Sequence, residues 1–227
     1  MSFSLPVDRA PQCPLCEQAG SKQSIQGPDA RSYLHCPRCH LIFVAANHLP
    51  SPNEERLRYL QHNNSADDSG YVSFLESMLL PLLPKLQPGI RGLDYGCGPQ
   101  PVLAELMRAR GFNCEVYDPF FFASEPQPPY DFVLSTECFE HFHHPRQDIG
   151  RICTLLAPSA WLGIMTELWQ TAEAFATWSY ARDTTHVVFY HQKTLHFLTD
   201  LFPLELHFCD RRRVSLFRKK FLTNSGR

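Results

Sequence analysis

The stretch that most constrains this chain is Gly92-Leu93-Asp94-Tyr95-Gly96-Cys97-Gly98-Pro99. A short run over residues 90–93 ends in an acid, and two glycines and an amphipathic segment follow. That order reads as strand, tight turn and helix, because glycine lets bare backbone turn sharply and approach a ligand. Pro101 suits the first turn of the helix, and Gly111 is placed to end it. Val102, Leu103, Leu106 and Met107 fall on one helical face. Such a turn commonly receives a nucleotide-like molecule, held by free helix N–H groups and the helix dipole. The dinucleotide fingerprint does not fit, since Pro101 stands where its last glycine belongs. A phosphate loop is excluded too, because no Gly-Lys-Ser/Thr follows the turn.

Residues 114–118 form a second short strand ending in an acid, Asp118. In doubly wound nucleotide folds an acid at that spacing holds the ribose hydroxyls. Residues 130–135 read as a further buried strand, followed by Thr136-Glu137-Cys138-Phe139-Glu140-His141-Phe142 and then Pro145. In this order the three segments resemble motifs of the class I S-adenosylmethionine (SAM) dependent methyltransferases, type 11/23. The resemblance spans roughly residues 70–220 and implies an α/β, Rossmann-like, doubly wound and mostly parallel sheet. The alternation of strands and helices along the chain predicts the same architecture. By resemblance, SAM is held by Asp94, Tyr95, Gly96, Cys97, Gly98, Asp118, Pro119, Phe120, Thr136 and Glu137.

The resemblance also implies an acceptor side carried by two catalytic candidates, His141 and His186. His141 directly follows the third motif strand. His186 lies in Asp183-Thr184-Thr185-His186-Val187, which is similar to an Asp-x-x-His segment in a subgroup that includes zinc-carrying sugar methyltransferases. Trp169, Trp178 and Tyr180 are candidates to line the acceptor pocket. The chain departs from the family twice. Gln100 replaces the third glycine of the turn, and residues 119–129 leave no room for the usual helix and third strand. Pro126, Pro128 and Pro129 cannot continue a helix there. Adenine is expected to rest against Phe120–Phe122 instead, with at least two of those rings filling core volume.

Four of the nine cysteines fall as Cys13-Pro14-Leu15-Cys16 and Cys36-Pro37-Arg38-Cys39. Two C-x-x-C turns at this separation supply the four soft ligands of a tetrahedral, structural Zn²⁺. Four thiolates close the shell, so this metal has no catalytic part. His35 and His40 flank the second turn and are expected at the surface. The chain therefore divides into a zinc-ribbon module (1–48), a helix and linker (49–69) and a methyltransferase domain (70–227). Ser51-Pro52-Asn53-Glu54 is a capping box that opens the linker helix. The stripe Tyr71, Phe74, Leu75, Met78 and Leu79 predicts a helix that packs over the sheet and walls the cofactor cleft. Later elements are a helix near 146–156, a strand near 161–165, a helix near 171–179, a strand at 187–190 and a helix at 193–202. Residues 204–209 and 214–219 are the final strands.

The chain has 227 residues, of which 44% are hydrophobic, enough for one core and a small accessory unit. Its net charge of −2 gives no global attraction for nucleic acid. No apolar stretch is long enough to span a bilayer, and Pro81 and Pro84 interrupt the most apolar one, over residues 77–86. Residues 1–10 lack signal-peptide character, so the expected location is the cytoplasm. The favoured function is SAM-dependent methylation of a small molecule: a sugar, lipid or metabolite. An RNA methyltransferase gripping its substrate with the zinc ribbon is the alternative. Lys22, Arg31 and Arg38 are few cations for that task. A degenerate, non-catalytic interaction module is the third reading.

Overall fold

A computed structural model of the chain describes residues 11–20, 22–61 and 65–221. Residues 1–10 and part of the expected polar linker lie outside the described residues. The elements in chain order are β1 (Gln23–Ile25), β2 (Tyr33–His35), β3 (Ile42–Val44), α1 (Pro52–Tyr59), α2 (Ser69–Leu82), β4 (Arg91–Tyr95), α3 (Val102–Ala109) and β5 (Asn113–Tyr117). They continue with β6 (Tyr130–Thr136), α4 (Pro145–Leu155), β7 (Leu156–Met165), α5 (Ala172–Phe175), β8 (Val188–Phe189), α6 (Gln192–Leu201), β9 (Leu204–Cys209) and β10 (Val214–Lys219).

A six-stranded sheet has the order β5-β4-β6-β7-β10-β9. The first four strands are parallel, and β10 runs antiparallel to both β7 and β9. Chain order reverses between β4 and β6, and ligands of open α/β sheets lie at the carboxyl ends of strands beside such a switch. Alternating residues feed two cores, as a pleated strand requires. Phe132, Leu134 and Leu216 face Leu75, Met78, Leu79 and Leu82 of α2 together with Leu103 and Met107 of α3. Leu93, Val133, Leu162, Ile164 and Phe217 face Ile149 and Ile152 of α4 and Leu195 and Leu198 of α6.

Local chemistry sets the element ends. The Ser51 side chain accepts from the Glu54 N–H while the Glu54 carboxylate accepts from the Ser51 N–H, so the expected capping box is formed. Asp68 caps α2 by accepting from the N–H groups of Gly70 and Tyr71. At the end of α3 the Gly111 N–H donates to Arg108 and the Phe112 N–H to Met107, the bond pair that closes a helix on a glycine. Pro81 does not break α2: it sits in the last turn, and the helix runs on to Leu82. Among the described residues no helix is long and apolar enough to cross a membrane.

Three expectations are corrected here. The apolar run 187–190 does form a strand, β8, but it joins the small sheet β1-β2-β3-β8 rather than the large one. The helix expected over 171–179 is a single turn, α5, followed by a separate 3₁₀ turn at Ser179–Arg182. Phe120, Phe121 and Phe122 are each half-buried, and none belongs to either core. The segment between β5 and β6 indeed lacks a helix and a strand of its own, holding only a one-bridge turn between Asp118 and Phe122.

The N-terminal module shares its core with the large sheet. Cys13, Leu15, Tyr33, Ile42 and Phe43 belong to the same buried cluster as Leu93, Tyr95 and Phe189. His35 and His40 are half-buried in this seam, not at the surface: His35 meets Trp169 edge-on at 5.4 Å, and His40 lies 5.9 Å from His191. The Trp169 indole N–H donates to the His40 carbonyl at 3.1 Å. Arg31 donates to the carbonyls of Thr184 (3.3 Å), His186 (3.0 Å) and Ala181, and the Tyr33 hydroxyl donates to Ala181 as well. Arg31 thus holds protein backbone and is not a phosphate ligand in waiting.

Candidate active site

A cavity of about 1210 Å³ opens at the carboxyl ends of β4, β5 and β6. Of the residues expected at the cofactor, Tyr95, Gly96, Cys97, Gly98, Asp118, Pro119, Phe120, Thr136 and Glu137 line it, and so do His141 and His186. Tyr71 and Phe74 of α2 wall it, as their stripe predicts. Sequence reasoning missed the contribution of α1 and its C-terminal end, where Glu55, Arg58, Tyr59 and Gln61 complete the wall. The amphipathic signal of so short a helix gives no direction. Tyr180 lines the cavity, whereas Trp169 packs on the N-terminal module and Trp178 on Phe175 and Phe189.

The turn after β4 is pinned to β5: the N–H groups of Gly96 and Cys97 both donate to the Tyr117 carbonyl, at 2.8 and 3.2 Å. Gly96 has φ +78°, and a Cβ there would stand 2.2 Å from the Cys138 sulfur. Gly96→Ala therefore combines a strained backbone with a clash, and we expect it to cost about 2 kcal/mol or more of unfolding free energy in urea. An unchanged midpoint would contradict the packing described. Gly98 has φ +65°, with no atom within 4 Å of its missing Cβ, so a ligand can lie directly on the backbone.

Asp118 stands at the end of β5, 7% exposed. One carboxylate oxygen accepts from Gly98 N–H at 3.0 Å, and the other from Phe120 and Phe121 N–H at 2.8 and 3.2 Å. A carboxylate offers about four lone-pair sites. The Gly98-bonded oxygen therefore retains capacity for a ribose hydroxyl. Bare backbone at Gly98 and spare capacity at Asp118 fit an adenosyl group.

Asp94 does not line the cavity. It is buried beneath the turn with Oδ1 lacking a hydrogen-bond partner. Burial pushes its carboxyl up to about 7, opposed mainly by a bond from the Ala104 N–H at the start of α3. The folded state thus holds this proton more tightly than the unfolded chain, whose value is near 3.8. Stability from this group is greatest at low pH and falls as pH rises towards 7. Asp94→Asn removes that loss. Relative to the parent, we expect the variant to gain roughly 2–3 kcal/mol between pH 5 and pH 8. A pH-independent difference in denaturant melts would contradict this.

His141 and His186, both lining the cavity, lie 4.8 Å apart, ring to ring, nearly perpendicular. His141 ends a turn of 3₁₀ helix, Phe139–His141, after β6, and His186 follows the tight loop that Asp183 organises. Asp183 accepts from the Thr185 N–H and hydroxyl and pairs with Arg58 of α1 at 2.8 Å. Burial lowers the His186 imidazole to about 4, leaving it neutral near pH 7. Glu140, fully buried beside it, accepts from the Tyr180 hydroxyl at 2.6 Å.

In the N-terminal module the sulfurs of Cys13, Cys16, Cys36 and Cys39 all lie within 4.8 Å of one another. Cys13–Cys39 and Cys16–Cys36 are 3.6 and 3.5 Å apart. A tetrahedral shell with metal–sulfur bonds of about 2.3 Å has edges near 3.8 Å, so the cluster fits a zinc-ribbon centre.

Residues 68–206 match the family model described as a methyltransferase domain, and the chain belongs to that family. Among solved structures, it is similar to the magnesium protoporphyrin IX methyltransferase ChlM of Synechocystis PCC 6803, solved with bound SAH. The identity is 13%, over 77% of this chain and 97% of that one, with a TM-score of 0.47. It is also similar to the N-methyltransferase NodS of Bradyrhizobium japonicum WM9 (14%, 68% and 99%, TM-score 0.45) and to the cyclase SpnF (16%, 71% and 86%, TM-score 0.47). No curated protein sequence matches the chain.

Proposed function

We propose that the protein is a SAM-dependent methyltransferase acting on a small-molecule acceptor, with a structural Zn²⁺ in its Cys13, Cys16, Cys36, Cys39 cluster. The observation that carries this reading is one continuous cavity joining Asp118 and Gly98 to His141 and His186. When bound, SAM supplies an electrophilic methyl group. The protein's part is alignment and exclusion of water, since the leaving group is already activated. Asp118 receives ribose hydroxyls, and the turn at Gly96–Gly98 receives the amino-acid part. Phe120, packed edge-on to Tyr59 at 5.6 Å, borders the adenine. His141 and His186 meet the acceptor, His186 as an uncharged imidazole.

A small acceptor is favoured because no described residue of the zinc module lines the cavity, and Arg31 is used internally. The test supplies methyl-labelled SAM to the protein with cell extract divided into small-molecule and RNA fractions. Label is expected in the small-molecule fraction. Label in RNA overturns the acceptor reading, and label in neither overturns the activity.

A further inference from the structure

Two carboxyl groups beside the cavity, Glu137 and Glu140, each have a buried oxygen without a hydrogen-bond partner. Glu140 is fully buried, and its Oε2 has no hydrogen-bond partner, although Oε1 accepts from Tyr180. Glu137, three residues earlier, has a buried Oε1 that also lacks a partner, and its backbone is held at φ +47°. Arg213, the guanidinium whose charge acts on Glu137, is paired with Glu167. A buried carboxyl left in this condition is costly as an anion, so it either holds its proton, as burial of Glu137 and Glu140 favours, or is completed by a cation.

The two imidazoles are oriented as cation ligands are. His141 Nδ1–H donates to the Thr185 carbonyl at 2.9 Å, and His186 Nδ1–H to the Tyr180 carbonyl at 2.7 Å. Each bond places a proton on Nδ1, so that in the neutral ring Nε2 carries the lone pair, the usual arrangement for an imidazole on a metal. The ligand atoms of Glu140, His141 and His186 all lie within 4.8 Å of one another. His186 Nε2 is 4.0 Å from Glu140 Oε1, too far for a hydrogen bond. Ligands at about 2.1 Å around one octahedral ion are about 3.0–4.2 Å apart, so a small inward shift would seat it.

We propose that Glu140, His141 and His186, with Glu137 adjoining, bind a first-row divalent cation whose open positions face the cavity and take an oxygen of the acceptor. Two nitrogens and a carboxylate suit a harder ion than the four thiolates of the N-terminal module. A cation there lowers the pKa of a coordinated hydroxyl and fixes its position, so the acceptor class is a hydroxylated molecule. The acceptor part of this proposal rests on the methyltransferase reading, whereas the cation site rests on the side-chain cluster alone.

The test titrates Mn²⁺ into the full chain with its cysteine-bound zinc retained, read by electron paramagnetic resonance, beside a calorimetric titration of S-adenosylhomocysteine. One Mn²⁺ per chain is expected. Glu140→Gln and His186→Ala should each weaken it at least 30-fold while leaving S-adenosylhomocysteine affinity within threefold, which also shows that the variants fold. Absence of Mn²⁺ binding in protein that binds S-adenosylhomocysteine overturns the proposal, as does undiminished Mn²⁺ binding in both variants. Mn²⁺ binding with the expected losses, in protein that ignores S-adenosylhomocysteine, supports the cation site and overturns the methyltransferase reading instead.

Discussion

Asp118→Ala is expected to weaken S-adenosylhomocysteine binding about 100-fold in calorimetry. The carboxylate serves two ends. It accepts three backbone N–H bonds that shape the Gly98 turn and the Phe120–Phe121 loop, and it retains capacity on the side facing the cavity. Removing it takes away a charge-assisted acceptor for the ribose and leaves buried N–H groups without partners. Losses of about 1–3 kcal/mol accompany each such change, and a 100-fold change in affinity is about 2.7 kcal/mol. Asp118→Asn keeps one acceptor oxygen and should lose less. Binding within threefold of the parent in Asp118→Ala would show that the ribose lies elsewhere.

Cys36→Ser, or extraction of the metal by a strong chelator, is expected to lower Tm by about 10–20 °C. Structural zinc contributes of the order of 10 kcal/mol in small modules, and half of that reaches this shift at the present chain length. The damage should not stop at residue 48. β8 hydrogen-bonds to β3, and Arg31 and Tyr33 hold the carbonyls of residues 181, 184 and 186. Loss of the metal therefore frees the loop that carries His186. Amide exchange at Val187 and Val188 should rise together with that at Phe43 and Val44. A melt within 3 °C of the parent after verified metal loss would contradict the account.

Features set by local chemistry were legible in the sequence. The Ser51–Glu54 capping box, the Gly111 helix end, the strands at 204–209 and 214–219 and the acid at the end of β5 each follow from a few neighbouring residues. Features set by distant pairing were not. The run 187–190 announces a strand, but nothing in its composition says that β3 is its partner. Phe120–Phe122 read as core because of their size, yet their loop runs along the edge of the sheet beside β5, where only one side can be covered. Arg31 reads as a surface cation, and only the fold brings three carbonyls to it. Glu140 is visible in sequence as half of a Glu-His pair. Its lack of a partner at Oε2 appears only once Tyr180 and His186 are seen around it.

The most direct measurement is a crystal structure with S-adenosylhomocysteine bound. The ribose hydroxyls should lie within hydrogen-bond distance of the Asp118 carboxylate and the amino-acid part over Gly96–Gly98, with the sulfur turned towards His141 and His186. A complex in which the molecule avoids Asp118, or in which its sulfur faces away from those two rings, would contradict the account.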